Sequence, residues 1–508
     1  MDKFFRTNSS ILEERLDPSF YQPSLVSNDE LIKSKGWVEL NTFYRSSGIG
    51  NTSGVERYYS DSADSIPYIS GKAIKSFNID FDGCQRVTAD SHKNELAKST
   101  LKSGDVLVIR KGDMGNACVV PSDVNEANCS SEVIYLKMKD SSEPYFLVSY
   151  LNCEQGQKAF KRLGRGTIIP GVSLLDVPFL PVPQFSETAQ KHIGDKVRQA
   201  EQLRAWAKRL RTSVDEKLNG LNLPINEPPQ LLNRVSAQTM EDRLDPRPYR
   251  SHFLHLVSEI EKLPHDSISS VVGLASGCPV SSKDFLENAG IPLVRIRNIG
   301  FDDFIGLDTG VSKDVYQDAS KYQAKEKMVV VGMDGIFRSQ FFVADELPML
   351  VNQRVAMLVP QKIRGELLTH WLNRPEGQMQ LNQWAVKTTV EHTSLSDIGR
   401  VLIPRLDENL ENKLADNLLN ARLAYRYAKF LTQTAKSLVE SLIEGQLTEQ
   451  QLIQAQQALD DGDNSLDQAI LSKLSSEGYA IEGAKPLFSD IDELYRLLES
   501  AAQTEAEE

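Results

Sequence analysis

The sequence predicts an α+β fold: two tandem, similar domains separated by long antiparallel helices, with an acidic, mostly helical C-terminal tail. Three observations predict it. The chain carries an internal repeat at a constant offset, a helical apolar stripe that recurs at the same offset, and short β-branched runs bounded by turns.

The repeat comes first. RLDP occurs at Arg15–Pro18 and again at Arg243–Pro246, ahead of Tyr21 and Tyr249. YLNCEQGQ (Tyr150–Gln157) matches WLNRPEGQ (Trp371–Gln378), which sets Asn152 and Asn373 221 residues apart. The same offset pairs Thr167 with Thr388, Ser173-Leu174 with Ser394-Leu395, Asp176 with Asp397, and Pro183 with Pro404. An offset held over such a length marks a duplicated unit.

The helices follow from periodicity. Ile193, Val197, Ala200, Leu203, Ala207, Leu210, Val214, Leu218 and Leu221 recur at steps of three and four, the stripe of an amphipathic helix. Their counterparts Leu414, Leu418, Ala421, Ala424, Ala428, Leu431, Ala435, Val439 and Leu442 are all apolar. Equal length and heptad-like spacing predict that the two helices pack on each other rather than each on its own domain. At ~1.5 Å per residue a helix from Ile193 to Asn219 is about 40 Å long. Packed in opposite directions, two such helices would hold the domains about one DNA turn, ~34 Å, apart.

The strands follow from composition. Asp105–Ile109 and Met328–Val331 are β-branched runs between charged or glycine-containing turns, whereas Leu147–Arg162 and Glu366–Gln380 have helical composition. The expected organisation is a first mixed domain at 1–183, a helix and linker at 184–240, a second mixed domain at 241–404, a distal helix at 405–445 and an acidic extension at 446–508. Pro224, Pro228 and Pro229 punctuate the linker. The extension reads as partly helical and partly loose.

Charge is uneven. Residues 446–508 hold fourteen acidic against three basic side chains, −11 of the chain's net −13, so the preceding body carries only −2. Global acidity therefore leaves room for local basic patches. No apolar run reaches the ~18 residues of a membrane span, and the charged amino terminus does not read as a secretory signal. Five scattered cysteines without a C-x-x-C pair suit a reducing cytoplasm and offer no zinc site. These features predict a cytoplasmic protein without membrane association.

With the repeat in place, the chain resembles the specificity subunit of type I restriction–modification systems. Trp37–Gly48 and Ile268–Gly277 look like that family's opening phrase, Ile66–Ile74 and Gly290–Ile299 like its second, and Leu101–Gly115 and Val329–Gly335 like its third. Ser130–Met138 and Val351–Pro360 resemble the strand that follows. The resemblance implies two target-recognition domains reading a bipartite, asymmetric site on double-stranded DNA. It implies partners too: two DNA adenine methyltransferase subunits docked on the helices, and a translocating restriction subunit as a further one. S-adenosylmethionine would be the cofactor of the partner methyltransferase, with none in this chain. The extension after Gly445 goes beyond the pattern.

Candidate DNA contacts fall in five places. Arg110, Lys111 and Asp113 follow a strand in a glycine-bounded turn, where Arg can pair with guanine and Lys with phosphate; Asp334 and Arg338 are the second-half equivalents. Lys158, Lys161, Arg162, Arg165 and Thr167 form the densest basic run, suited to phosphate, and Lys387 and Thr388 are its less basic counterpart. Arg295 and Arg297 alternate along an expected strand. Arg45, Ser47 and Gly48, with Ser276 and Gly277, are expected in the first turn of each domain. A solvated turn is the competing reading for the first set and a plain charged surface for the basic run. Arg204, Lys208, Arg209 and Arg211 on the first long helix fit a solvated face, spacer phosphates or a partner equally.

No catalytic motif stands out. Asp17–Phe20 echoes the methyltransferase Asp-Pro-Pro-aromatic motif, but its repeat counterpart is Asp245-Pro-Arg-Pro, so the shared RLDP reads as structural. Gly48–Gly54 lacks a following helix pattern, and Ile69–Ile74 lacks phosphate-loop spacing. The expectation is a non-catalytic chain, with a helical scaffold that does not read DNA sequence as the alternative.

Overall fold

The computed structural model describes residues 15–506 apart from 16, 52–53, 167–169, 229, 231, 242 and 388. The chain forms two compact units, one of Met1–Leu203 with Tyr427–Glu508, the other of Arg204–Arg426.

In the first unit, Val106–Ile109 is buried at every position, so it lies inside a sheet covered on both faces. The sheet runs in the order Tyr44–Ile49, Val133–Met138, Val106–Ile109, Ala117–Val119, antiparallel throughout. A second sheet, Gln85–Val87, Ile66–Ile69, Ala127–Cys129 and Thr100–Leu101, shares its core through Ile69, Leu101, Leu107, Ile109 and Val133. Helix Pro144–Asn152 breaks at Cys153 and resumes as Glu154–Arg162. The break is held by Asn152, whose side chain accepts from Ala117 N at 3.1 Å and donates to Ala117 O at 2.8 Å.

The second unit repeats the first sheet and the broken helix of this arrangement. Its sheet runs Val272–Ser276, Val355–Pro360, Val329–Gly332, Ser339–Phe341. Helices Gly365–Asn373 and Pro375–Trp384 break at Arg374, and Asn373 ties to Ser339 N and O at 2.9 and 2.8 Å. A Cβ at Gly156 would collide with the carbonyl oxygen of Tyr150, and one at Gly377 with that of Trp371, so each helical break demands glycine. RLDP is likewise a structural device. Arg15 and Arg243 clasp Asp17 and Asp245, while Tyr21 and Tyr249 donate to the carbonyls of Arg15 and Arg243 at 2.6 and 2.7 Å.

The two stripes form helices Glu187–Asn219 and Glu408–Glu444, each contributing one segment to each unit. In the first unit Ile193, Val197, Ala200 and Leu203 are buried, as are Ala428, Leu431, Ala435, Val439 and Leu442. In the second, Val214 and Leu218 share a cluster with Leu414, Ala415 and Leu418. There Asn417 donates to Ser213 and Arg211 lies over the Tyr425 ring, so the segments run antiparallel.

The acidic extension is more ordered than its composition predicts. Helices Glu449–Asp460, Ser465–Leu471 and Ile491–Ala506 pack into the first unit through Leu452, Leu471, Leu494 and Leu497. Asp467 accepts from Lys196 at 2.6 Å, with both side chains 1% exposed, and His192 Nε2 lies 3.1 Å from its other oxygen. Tyr495 donates to the same carboxylate. Among the described residues, no helix is long and apolar enough to cross a membrane.

Candidate nucleic-acid interface

In the first unit, Arg110, Lys111 and Asp113 lie in the turn between strands Val106–Ile109 and Ala117–Val119. Gly112 sits at φ 83°, a conformation that glycine adopts without strain. Lys111 bridges to Gly171, which ties the turn to the loop after helix Glu154–Arg162. Lys111 and Asp113 are exposed. Arg110 is half-buried and donates to the carbonyls of Val172 and Ser131 at 3.2 and 3.3 Å, which makes it a brace for the turn. The turn and the helix enclose a cleft of about 550 Å³ lined by Gly112, Asp113, Met114, Lys158, Lys161 and Pro170 among others.

The basic run divides by helix face. Lys161 is exposed. Lys158 faces the cleft and pairs with Glu154 one turn earlier. Arg162 does not belong to the interface: it is buried, pairs with Asp29, donates to Phe20 O at 3.0 Å and stacks 3.9 Å from the Phe20 ring. The reason is its spacing, since Gln155, Ala159 and Arg162 share the buried face of the helix. Arg165 is 52% exposed and held by Asp176 at 2.8 Å. Thr167 lies outside the described residues.

The second unit has the equivalent turn with different chemistry. Asp334 bridges to His392 as Lys111 does to Gly171, and Gly335 at φ 73° matches Gly112. Asp334 hydrogen-bonds His392 at 2.5 Å and lies 3.8 Å from Arg354, which is 60% exposed. Arg338 is half-buried and places its guanidinium 4.9 Å from the Phe301 ring centre. Lys387 lies in the short strand Val386–Lys387, and Thr388 lies outside the described residues.

Three further placements differ from the sequence expectation. Arg45, Ser47 and Gly48 are on strand Tyr44–Ile49, and Ser276 ends strand Val272–Ser276; they are not in a turn. Register also re-pairs the phrases. Gly50 N bonds to Val133 O and Gly277 N to Val355 O, while Asn51 bridges to Ser130 and Cys278 to Asn352, so Gly277 matches Gly50 and not Gly48. Gly48 instead faces the Tyr135 ring on the neighbouring strand. Arg295 and Arg297 do not alternate along a strand. The strand ends at Val294; Arg295 caps the short 3-10 turn Ile296–Asn298, Arg297 lies within it, and both converge on Asp308.

Sequence reading passed over Arg354, Ile336 and Val390, all exposed and all at this second turn. The signal available for Ile336 was the glycine before it, matching Gly112. Nothing local marked Val390, which strand pairing brings alongside.

No protein-family model matches the chain, and no curated protein matches it. Solved structures from type I restriction–modification systems, two of them specificity subunits, align with 81% of it. The S subunit from M. genitalium is 14% identical, is covered over 96% of its length and has a TM-score of 0.45. The HsdS subunit from Thermoanaerobacter tengcongensis is 15% identical and 97% covered, with a TM-score of 0.27. A type I system structure described for complex assembly and conformational transition is 15% identical and 98% covered, with a TM-score of 0.29.

Proposed function

We propose that this chain is the non-catalytic specificity subunit of a DNA adenine methyltransferase complex, with target-recognition domains at 1–183 and 241–404. One observation carries the reading. The same sheet and broken helix occur twice with the same ties, yet the matched surface turns differ: Lys111-Gly112-Asp113 in one half, Asp334-Gly335-Ile336 in the other. A conserved scaffold under divergent turns suits two readers of different half-sites, because base readout depends on the side chains at the tip. Lys111, Asp113, Lys158 and Lys161 are the leading contacts in the first domain, and Arg354 and Arg297 supply exposed cations in the second. Helices Glu187–Asn219 and Glu408–Glu444 would act as the spacer and carry the methyltransferase subunits.

The test is long-read methylation mapping of cells expressing the chain with its cognate methyltransferase, with and without this gene. The expected result is a two-part methylated motif that disappears with the gene. Methylation that persists unchanged would refute the specificity role.

A further inference from the structure

At the tip of the second domain's turn, apolar Ile336 stands where the first domain carries Asp113. Ile336 is 62% exposed and Val390 53%. Two backbone contacts hold them on adjacent loops: Gly335 N donates to Glu391 O at 2.8 Å, and Arg338 N to Ile336 O at 2.8 Å. Val390 Cγ1 lies 4.0 Å from where a Cβ on Gly335 would stand, so the valine flanks the glycine that carries Ile336. Val386, 46% exposed, lies on the strand that pairs Glu391 and His392. The Asp334–His392 bridge fixes the base of the turn, as Lys111–Gly171 does in the first domain.

Neither tip side chain carries a hydrogen-bond donor or acceptor. Pressed against a base edge, such a tip strips water from polar groups and returns nothing to them, which costs free energy at any edge that presents only donors and acceptors. The 5-methyl of thymine is the apolar group on a major-groove edge. Exposed Arg354, 3.8 Å from Asp334, supplies a cation beside the patch where the backbone phosphates of the same duplex would pass.

We infer that Ile336 and Val390 are specificity determinants that read thymine 5-methyl groups in the half-site of the second domain. The inference rests on the DNA-reading role proposed above. The test has two stages, both with the full chain and its cognate methyltransferase. The motif is mapped first, and replacement of residues 250–404 by those of a homologue identifies the half-site that the second domain reads. Binding is then measured on duplexes in which each thymine is replaced by deoxyuridine, which removes only the methyl.

The expected result is about fourfold weaker binding for each contacted methyl removed in that half-site, the loss that one buried carbon confers. The same replacement is silent for the Ile336→Asn, Val390→Ser double variant. Absence of a gene-dependent bipartite motif would defeat the DNA-reading role itself. A motif whose second half lacks thymine, or that binds equally well with deoxyuridine throughout, would overturn this inference and leave that role standing.

Discussion

Lys161 and Arg162 are adjacent in sequence and opposite in role. Arg162 sits in a buried ion pair with Asp29 and against Phe20, so removing it takes the paired cation from a buried carboxylate. Arg162→Ala is expected to cost about 3–5 kcal/mol of stability, read as a lowered midpoint of denaturation. Lys161→Ala should leave that midpoint unchanged and reduce the slope of log binding constant against log salt by ~0.9, one released counterion. Equal salt slopes for Lys161→Ala and wild type would remove that residue from the interface. Helical periodicity made this distinction legible in part: Arg162 falls on the stripe of Gln155 and Ala159. Its partner Asp29 lies 133 residues away, and no local signal points to it.

Among the elements, the C-terminal extension departs most from its sequence. Its acidic composition suggests solvation, but its apolar side chains recur at helical spacing and the first long helix supplies their partner surface. Asp467 is the anchor. Burial pushes its carboxyl up, but Lys196 and His192 together outweigh burial and hold it below the ordinary carboxylate range. Burial also lowers His192, against the pull of Asp467, which favours the neutral ring.

Both shifts have the same consequence for acidification. A histidine lowered in the folded state loses stability as pH falls below its unfolded value of about 6.5. An aspartate lowered in the folded state loses its contribution only below about 4. Docking of the extension should therefore be flat above pH 7 and weaken progressively on acidification, as measured by hydrogen exchange across 449–506. His192→Phe should remove the upper part of that dependence. Lys196→Met alone should weaken docking strongly, whereas Lys196→Met with Asp467→Leu should recover most of it, because the pair is replaced by apolar packing. Failure of the double variant to recover would assign Lys196 a role beyond pairing with Asp467.

For the whole molecule, the order domain–helix–domain–helix makes spacing and base identity separable properties of the proposed specificity subunit. One heptad added to each long helix keeps the apolar stripe in phase. The expected outcome, read by methylation mapping, is a changed gap between half-sites with the same bases in each. A change in the bases with an unchanged gap would contradict the spacer role of the helices.

By itself the sequence determined the duplication, the α+β class and the two long helices, because each is written in periodicity or in a repeated phrase. It also pointed to the paired asparagines and glycines that tie the helical breaks, since both copies carry them. Only the tertiary structure decided which charged side chains are engaged within the fold. Arg110 became a brace, Arg162 a buried ion pair, and Arg295 with Arg297 a clamp on Asp308. The physical reason is that a charged side chain's role depends on partners distant in sequence, and on which face its element turns inward. The placement of Val390 beside Gly335 has the same cause, because strand pairing joins segments that local pattern leaves apart.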